Sequence, residues 1–481
     1  MARASAIALW LLASGCLSPA VRSDLKDLEN RIDRRSPSES ERPPPTVARS
    51  QPALPVRETN VDGSKDDTPR PPRFLAAPPA AVADPLADSV DLKSLVDEAL
   101  RRNPELAEMQ SRARSALEDV RSAGSLDDPM FKVETEGVPL HRPLSFDRSQ
   151  DNMFGLEQTF PFPGKLRART ESALASAQEQ LEMSRGSTSE IIARVKKAYF
   201  AYFMLTRELE IHLQHVKLLE DFERITESRF QNGAALQQDV LKAQLELVML
   251  HNDVLTLEQR LGSTKAEINT LLNRQVDAPL GKPRDITVTE GSVDIDALQD
   301  ASLEARPELR ALKHRVEAAK SAESFAEKDA WLPDFTVGVD YWQVSRADDA
   351  WGGFVSINLP WLTGKKAAEA RKRHHEVSAQ AFAAERGARQ VLFEVRDAYL
   401  RVEAARTSYR LIQGELVPKA NQNVEVTRSS YENDKTSFLD LLVAERSLRD
   451  VELSLYRALA GYESAHADLE RASGANLDDK P

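Results

Sequence analysis

The chain has 481 residues, 41% hydrophobic and 29% charged, enough for two or three domains and an ample core. A formal net charge of -12 excludes the broad basic field with which general nucleic-acid binders neutralise phosphates, so no nucleic-acid partner is expected. The single cysteine, Cys16, excludes an internal disulfide framework and a cysteine-based zinc site.

Arg3, the apolar run Ala4 to Ala13 and the small residues Ser14 and Gly15 read as a secretion signal over residues 1–15. The order Leu12-Ala13-Ser14-Gly15-Cys16 resembles a bacterial lipobox, which would make Cys16 an acylated lipid anchor, and Leu17 after it favours the outer membrane. The alternative is an ordinary signal cut near Ala20. Of the 26 prolines, 13 lie in residues 1–85, amid Ser, Arg, Asp and Glu. Such composition buries too little apolar surface to offset ordering entropy, so 16–88 is expected to be a Pro-rich disordered tether, semi-extended over 24–88, or in part wrapped on the folded body.

The body is two copies of one unit, 89–280 and 296–474, followed by a tail at 475–481. Arg102-Asn103-Pro104-Glu105-Leu106 returns as Ala305-Arg306-Pro307-Glu308-Leu309. Gly164-Lys165 returns as Gly364-Lys365 and Ala198-Tyr199 as Ala398-Tyr399, both 200 residues on, while Phe230 returns as Tyr431 at 201. Within each unit a helical run (91–123, 296–330) ends near Pro129 or Pro333, and a period of two follows. Phe335, Val337, Val339 and Tyr341 share one face, with Val355 and Ile357 on the returning strand. The first unit alternates more weakly, because Gln158 interrupts its apolar face. Strands are expected at about 130–137, 152–160, 334–344 and 351–359, the length a tilted transmembrane strand requires.

Long helices come next, at 164–230 and 237–273 and again at 364–431 and 437–472. An a/d heptad runs through Val240, Leu247, Val254, Leu261 and Ile268, and another through Leu441, Leu448, Leu455, Tyr462 and Leu469, specifying coiled-coil packing. Pro418 should kink or break the second rod. No span outside the N-terminus is long and apolar enough to be a membrane helix, so a membrane would be crossed by strands. Four strands cannot seal their own sheet in lipid; two chains would give a filled eight-stranded barrel and three a twelve-stranded one with a lumen. A secreted coiled-coil scaffold or stalk without a pore is the rival reading of the same heptads.

The two-unit layout, the Gln158-Thr159-Phe160-Pro161-Phe162-Pro163-Gly164-Lys165-Leu166 string, the Arg306-Pro307-Glu308-Leu309 string and the Phe230 and Tyr431 segments resemble the TolC-type outer-membrane efflux proteins, in their lipoprotein heavy-metal and multidrug branch. That resemblance implies a mainly α fold with a small β part. It implies a homotrimer in which long helices form a periplasmic α-barrel below a twelve-stranded β-barrel held in outer-membrane lipid. The protein would be a passive exit duct without catalysis or cofactor, working with a periplasmic adaptor and a proton-driven inner-membrane pump. Its cargo would be metal ions or small molecules, although similar ducts serve protein secretion.

By the same resemblance, the adaptor docks at helical tips comprising Arg229, Phe230, Asn232, Gly233 and Ala234 in one unit and Tyr431, Asn433, Asp434 and Lys435 in the other. Asp434 stands where a glycine is expected. Asp239 and Asp440, each six residues on, would narrow the pore; as helix N-terminal carboxylates they equally favour the helix dipole. His374-His375 reads as a solvated pair, since adjacent helical residues do not share a face, and no residue is assigned to a metal. Trp331, Trp342, Trp351 and Trp361 read as an interfacial girdle or as core packing.

Overall fold

The computed structural model describes residues 19–33, 86–136, 151–233, 236–286, 288, 294–344, 348–433 and 435–475. Cys16, the signal segment and residues 34–85 lie outside them.

The first element corrects the expectation of a tether from residue 16. Pro19–Asp33 is a helix, α1. Its apolar residues Val21, Leu25, Leu28 and Ile32 recur at helical spacing and are buried against Ala113, Leu117, Val120, Leu174, Ala177 and Leu181. A count of prolines and charges hides this stripe, because all the prolines but Pro19 fall after it.

In each unit the expected leading helix is two helices, broken at the repeated motif: α2 (Leu92–Arg102) and α3 (Pro104–Ala123) in the first. The residue before a proline is driven out of the helical region, and Asn103 accordingly has ψ 124° while Pro104 opens α3. The Asn103 side chain accepts the Glu105 N–H at 2.9 Å and donates to the Leu271 carbonyl at 2.9 Å, joining the break to a distant helix. Arg306, at ψ 122°, makes the equivalent break between α6 (Ile295–Ala305) and α7 (Pro307–Trp331) without capping the helix, and its guanidinium donates to Glu394 at 2.6 Å.

The strands sit where alternation puts them: β2 (Met130–Glu136), β3 (Asp151–Phe160), β5 (Phe335–Val344) and β6 (Ala350–Ile357), antiparallel in the order β2-β3-β5-β6. Two short parallel strands, β1 (Ser89–Val90) and β4 (Lys282–Pro283), clip the start of the first unit to its end.

Each rod is launched by a glycine in the left-handed region, Gly164 (φ +93°) and Gly364 (φ +67°), which lets the chain turn from sheet to helix without Cβ strain. The first rod is one helix, α4 (Lys165–Gln231), of 67 residues, about 100 Å at 1.5 Å per residue. The second is α8 (Lys365–Leu411), a π-turn (Ile412–Leu416) and α9 (Val417–Glu432), so the interruption expected of Pro418 lies in the turn just before it. The returning helices are α5 (Gln237–Leu271) and α10 (Phe438–Ser473). Their heptads form the seams: Ala243, Leu250, Val254, Leu257 and Ile268 are buried, as are Leu441, Ala444, Tyr462, Leu469 and Ala472. The helices lie side by side in the order α5, α4, α10, then α8 and α9.

Candidate functional site: a two-faced sheet and a helical entrance

The sheet register puts the apolar residues of all four strands in common rows. Phe131 pairs with Leu156, which pairs with Val339; Val133, Phe154, Tyr341 and Trp351 make the next row. This face is open: Phe131 is 68% exposed, Val339 50%, Val355 69% and Ile357 52%. Val337 is exposed with them, whereas Phe335 and Tyr341 are half-buried, the first against Phe162 (6.1 Å between ring centres) and the second between Phe154 and Trp351. Gln158 interrupts the face as expected, opposite Val337, and its amide donates to the backbone carbonyls of Asp127 (2.7 Å) and Thr159 (3.0 Å).

The opposite face carries Lys132, Glu134, Glu157, Thr159, Thr336, Asp340 and Ser356. Large side chains lie here over glycines: a Cβ on Gly338 would stand 2.3 Å from the Phe354 ring, and one on Gly352 2.4 Å from Trp342. Trp342 therefore belongs to this face. Trp351 lies near the hairpin end, and Trp331 and Trp361 are exposed where helices meet sheet.

A charged cluster that sequence reasoning missed fixes that junction. Lys165, 1% exposed, places Nζ 2.9 Å from Asp329 and 2.8 Å from Asp334, and Lys366 bonds the second oxygen of Asp329. Asp334 also accepts the Phe162 N–H at 3.2 Å and the Asn358 amide at 3.2 Å. Burial would raise the Asp329 carboxyl, but the Lys366 and Lys165 ammoniums outweigh it and hold it below the ordinary carboxylate range. The repeated Gly-Lys pair was the available signal.

At the far end, both helical turns use the same device. Asn232 and Asn433 each donate a side-chain amide to the carbonyl four residues back, Ser228 at 2.8 Å and Ser429 at 2.7 Å. Gly233 follows at φ +72°, and in the second turn Lys435 N–H reaches the Ser430 carbonyl at 2.9 Å. Ala234 and Asp434 lie outside the described residues. The two turns are joined by the Arg229 guanidinium, 4.8 Å from the centre of the Tyr431 ring, which in turn meets Phe438 at 6.1 Å; Phe230 stays exposed.

The two aspartates differ. Asp440 closes a capping box: Ser437 hydroxyl accepts its N–H at 3.2 Å, while its carboxylate takes the Ser437 hydroxyl at 2.7 Å, the Thr436 hydroxyl at 2.8 Å and the Ser437 N–H at 3.1 Å. Those Ser437 and Thr436 bonds lower its pKa. Asp239 occupies the same position in α5 behind Leu236, which has no hydroxyl to offer, and its charged neighbour is Lys242 at 3.9 Å. Above the turns Glu246, buried, pairs with Arg446 and Arg449 of α10. His374 is bound to Glu323 at 2.7 Å, and among the described residues no group of three or more acidic, histidine or cysteine side chains could hold a metal ion.

Long rods carrying a small sheet with an exposed apolar face have the layout of an outer-membrane channel chain. The chain belongs to the outer membrane efflux protein family, whose model matches residues 95–274 and 298–475. It is similar to outer membrane protein OprJ of Pseudomonas aeruginosa, 25% identical over 340 residues that cover 66% of this chain and 68% of that protein. It is similar also to toxin and drug export protein A of Aggregatibacter actinomycetemcomitans, 20% identical over 405 residues covering 79% and 88%. The outer membrane protein VceC of Vibrio cholerae shares the fold, with a TM-score of 0.66 at 22% identity over 80% of this chain and 96% of that one. The protein is thus a TolC-type outer-membrane efflux channel rather than an enzyme. The pore-free stalk is set aside by the same family membership.

Proposed function

We propose that three copies close a twelve-stranded barrel in the outer membrane and a continuous helical barrel beneath it, forming a passive exit duct for small molecules or metal ions. The observation that carries this reading is the four-stranded sheet, whose outer strands β2 and β6 each have one edge unpaired among the described residues, while one face exposes Phe131, Leu156, Val337, Val339, Val355 and Ile357. In lipid such edges cost several kcal/mol per unpaired group, and pairing β2 with β6 of a neighbour removes them. The helices support the same closure, since exposed Leu241, Leu245, Val248 and Leu255 on α5 and Phe382, Phe393 and Leu400 on α8 lie at the two ends of the helix row. Such a head-to-tail contact generates a ring.

In this duct Asp239 and Asp440 form carboxylate rings at the entrance, the two turns receive a periplasmic adaptor, a proton-driven inner-membrane pump supplies the energy, and acylated Cys16 anchors each chain in the outer membrane. The name of toxin and drug export protein A spans both cargo classes, so protein cargo stays within reach of the same duct. The test is gel migration together with bilayer recording. A heat-sensitive trimer that conducts ions is expected, and a gently solubilised monomer that never conducts overturns the reading.

A further inference from the structure

On the sheet face opposite the open apolar one, a single carboxylate is bordered by three glycines. Asp340, midway along β5, pairs with Gly155 of β3 on one side and Gly352 of β6 on the other, and Gly338 stands two residues before it. Neighbouring side chains fill the space each glycine leaves. The Asp340 carboxylate leans over Gly155, where a Cβ would stand 2.5 Å from its Oδ1, while the Trp342 indole covers Gly352 and the Phe354 ring covers Gly338. The carboxylate thus sits beside two aromatic rings, both half-buried. Asp340 is only 9% exposed, yet among the described residues its carboxylate takes no hydrogen bond or ion pair. Lys132, the one cation in its row, gives its ammonium to Glu134 at 3.1 Å. A charge so nearly buried and left without a partner costs free energy, and a threonine would fill the same space without that cost.

We propose that Asp340, Trp342 and Phe354 form a binding site for organic cations passing through the barrel, the ammonium group meeting the carboxylate and its apolar substituents the two rings. The inference rests on the reading that this face lines a duct closed by three chains. Closure does not cover the site. Neighbouring copies join at the outer edges of β2 and β6, whereas Asp340 lies on the inner strand β5 and both rings rest on the chain's own strands, Phe354 turned inward from β6 over β5. A ring laid over a glycine keeps its outer face toward the lumen, and an aromatic face attracts a cation, most of all where water is partly excluded. Glu157, opposite Gly338, adds negative charge to the same face, which favours cations over anions. A divalent metal ion would need about six or more oxygen ligands, and among the described residues no group of three or more candidate ligands stands together. An alkylammonium ion needs one counter-charge and apolar surface, and both are here.

The test is block of single-channel current by tetrabutylammonium in planar bilayers holding the full-length protein, with magnesium ion as the inorganic control. Wild type should be blocked by tetrabutylammonium, and the block should survive Asp239→Ala/Asp440→Ala, which leaves the barrel untouched. Asp340→Asn should weaken the block by about tenfold. Trp342→Leu, which keeps the charge, should weaken it by about threefold and leave the response to magnesium unchanged. If Trp342→Leu does not assemble, Phe354→Leu reads the aromatic contribution in its place. Block that these variants leave unchanged overturns the proposal. So does an equal loss for both cations in Asp340→Asn with no effect of the aromatic variants, which would reduce the site to a bare surface charge. Wild type that conducts without block defeats this site alone; wild type that never conducts defeats the duct and the site with it.

Discussion

Lys165, the first residue of the longest helix, holds Asp334, one residue before strand β5, at 2.8 Å across 169 positions of sequence. The contact ties the first unit's rod to the second unit's strand at the level where helices become sheet. With Asp329 and Lys366 it makes a two-cation, two-anion cluster, so removing one cation leaves two carboxylates facing each other in a largely buried site.

Lys165→Met is expected to cost about 3–5 kcal/mol, the range for breaking a buried pair by removing one partner. The pH dependence has a definite sign. A carboxyl whose folded pKa is depressed contributes in full above its unfolded value, about 3.9 for Asp, and loses that contribution as pH falls through the folded value. Thermal melts of wild type should therefore decline on acidification below about pH 4. The variant should start lower and decline less, and an unchanged acid limb would remove Asp329 from the explanation.

Of the two turn aspartates, Asp440 should keep its charge on acidification. Asp440 is held ionised by Ser437 and Thr436, so in Asp239→Ala channels cation preference should persist below about pH 4, the ordinary Asp range. In the Asp239→Ala/Asp440→Ala double variant, single-channel conductance should rise and cation selectivity fall. Traces indistinguishable from wild type would relieve both residues of any part in the pore.

On the open sheet face, Val339→Arg should reduce assembly into heat-sensitive trimers, an arginine at mid-bilayer depth costing about 2–4 kcal/mol. On the other face, Gly338→Ala should also impair assembly, because its Cβ would meet Phe354. Adding Phe354→Ala should rescue Gly338→Ala and leave Val339→Arg unrelieved.

Helix α1 is tested through Leu28, 1% exposed against α3 and α4. Leu28→Ala should lower stability by about 2–5 kcal/mol if helix and body melt together. If α1 instead opens by itself, the same change appears as faster proteolysis within 19–33 with the main transition unmoved.

Where period and punctuation were strong, the fold could be read directly. The hairpins follow from alternation at 335–341, the rods from glycine starts and proline-free runs, and the seams from heptads. Helix α1 escaped because the many prolines after it dominate the composition of its surroundings, and the breaks at Asn103 and Arg306 because helical spacing of apolar residues continues across them. The apolar sheet face was legible from β5 alone. The Lys165 cluster and the Arg229–Tyr431 contact were not, since both join residues more than 160 positions apart whose proximity only tertiary packing creates.

The π-turn at Ile412–Leu416 explains a discrepancy between the two units. Lys165 and Lys365 are 200 residues apart, as are Tyr199 and Tyr399, yet Phe230 and Tyr431 are separated by 201. One additional residue entered the second rod between Tyr399 and Tyr431, and a widened turn accommodates one residue without passing its rotation on. Had the helix stayed regular, everything beyond would have swung by about 100°, carrying Tyr431 away from Arg229. Excising Gly414 should consequently be tolerated as the reversal of an ancestral slip, whereas excising one residue from the unbroken first rod should throw its tip out of phase with its neighbours.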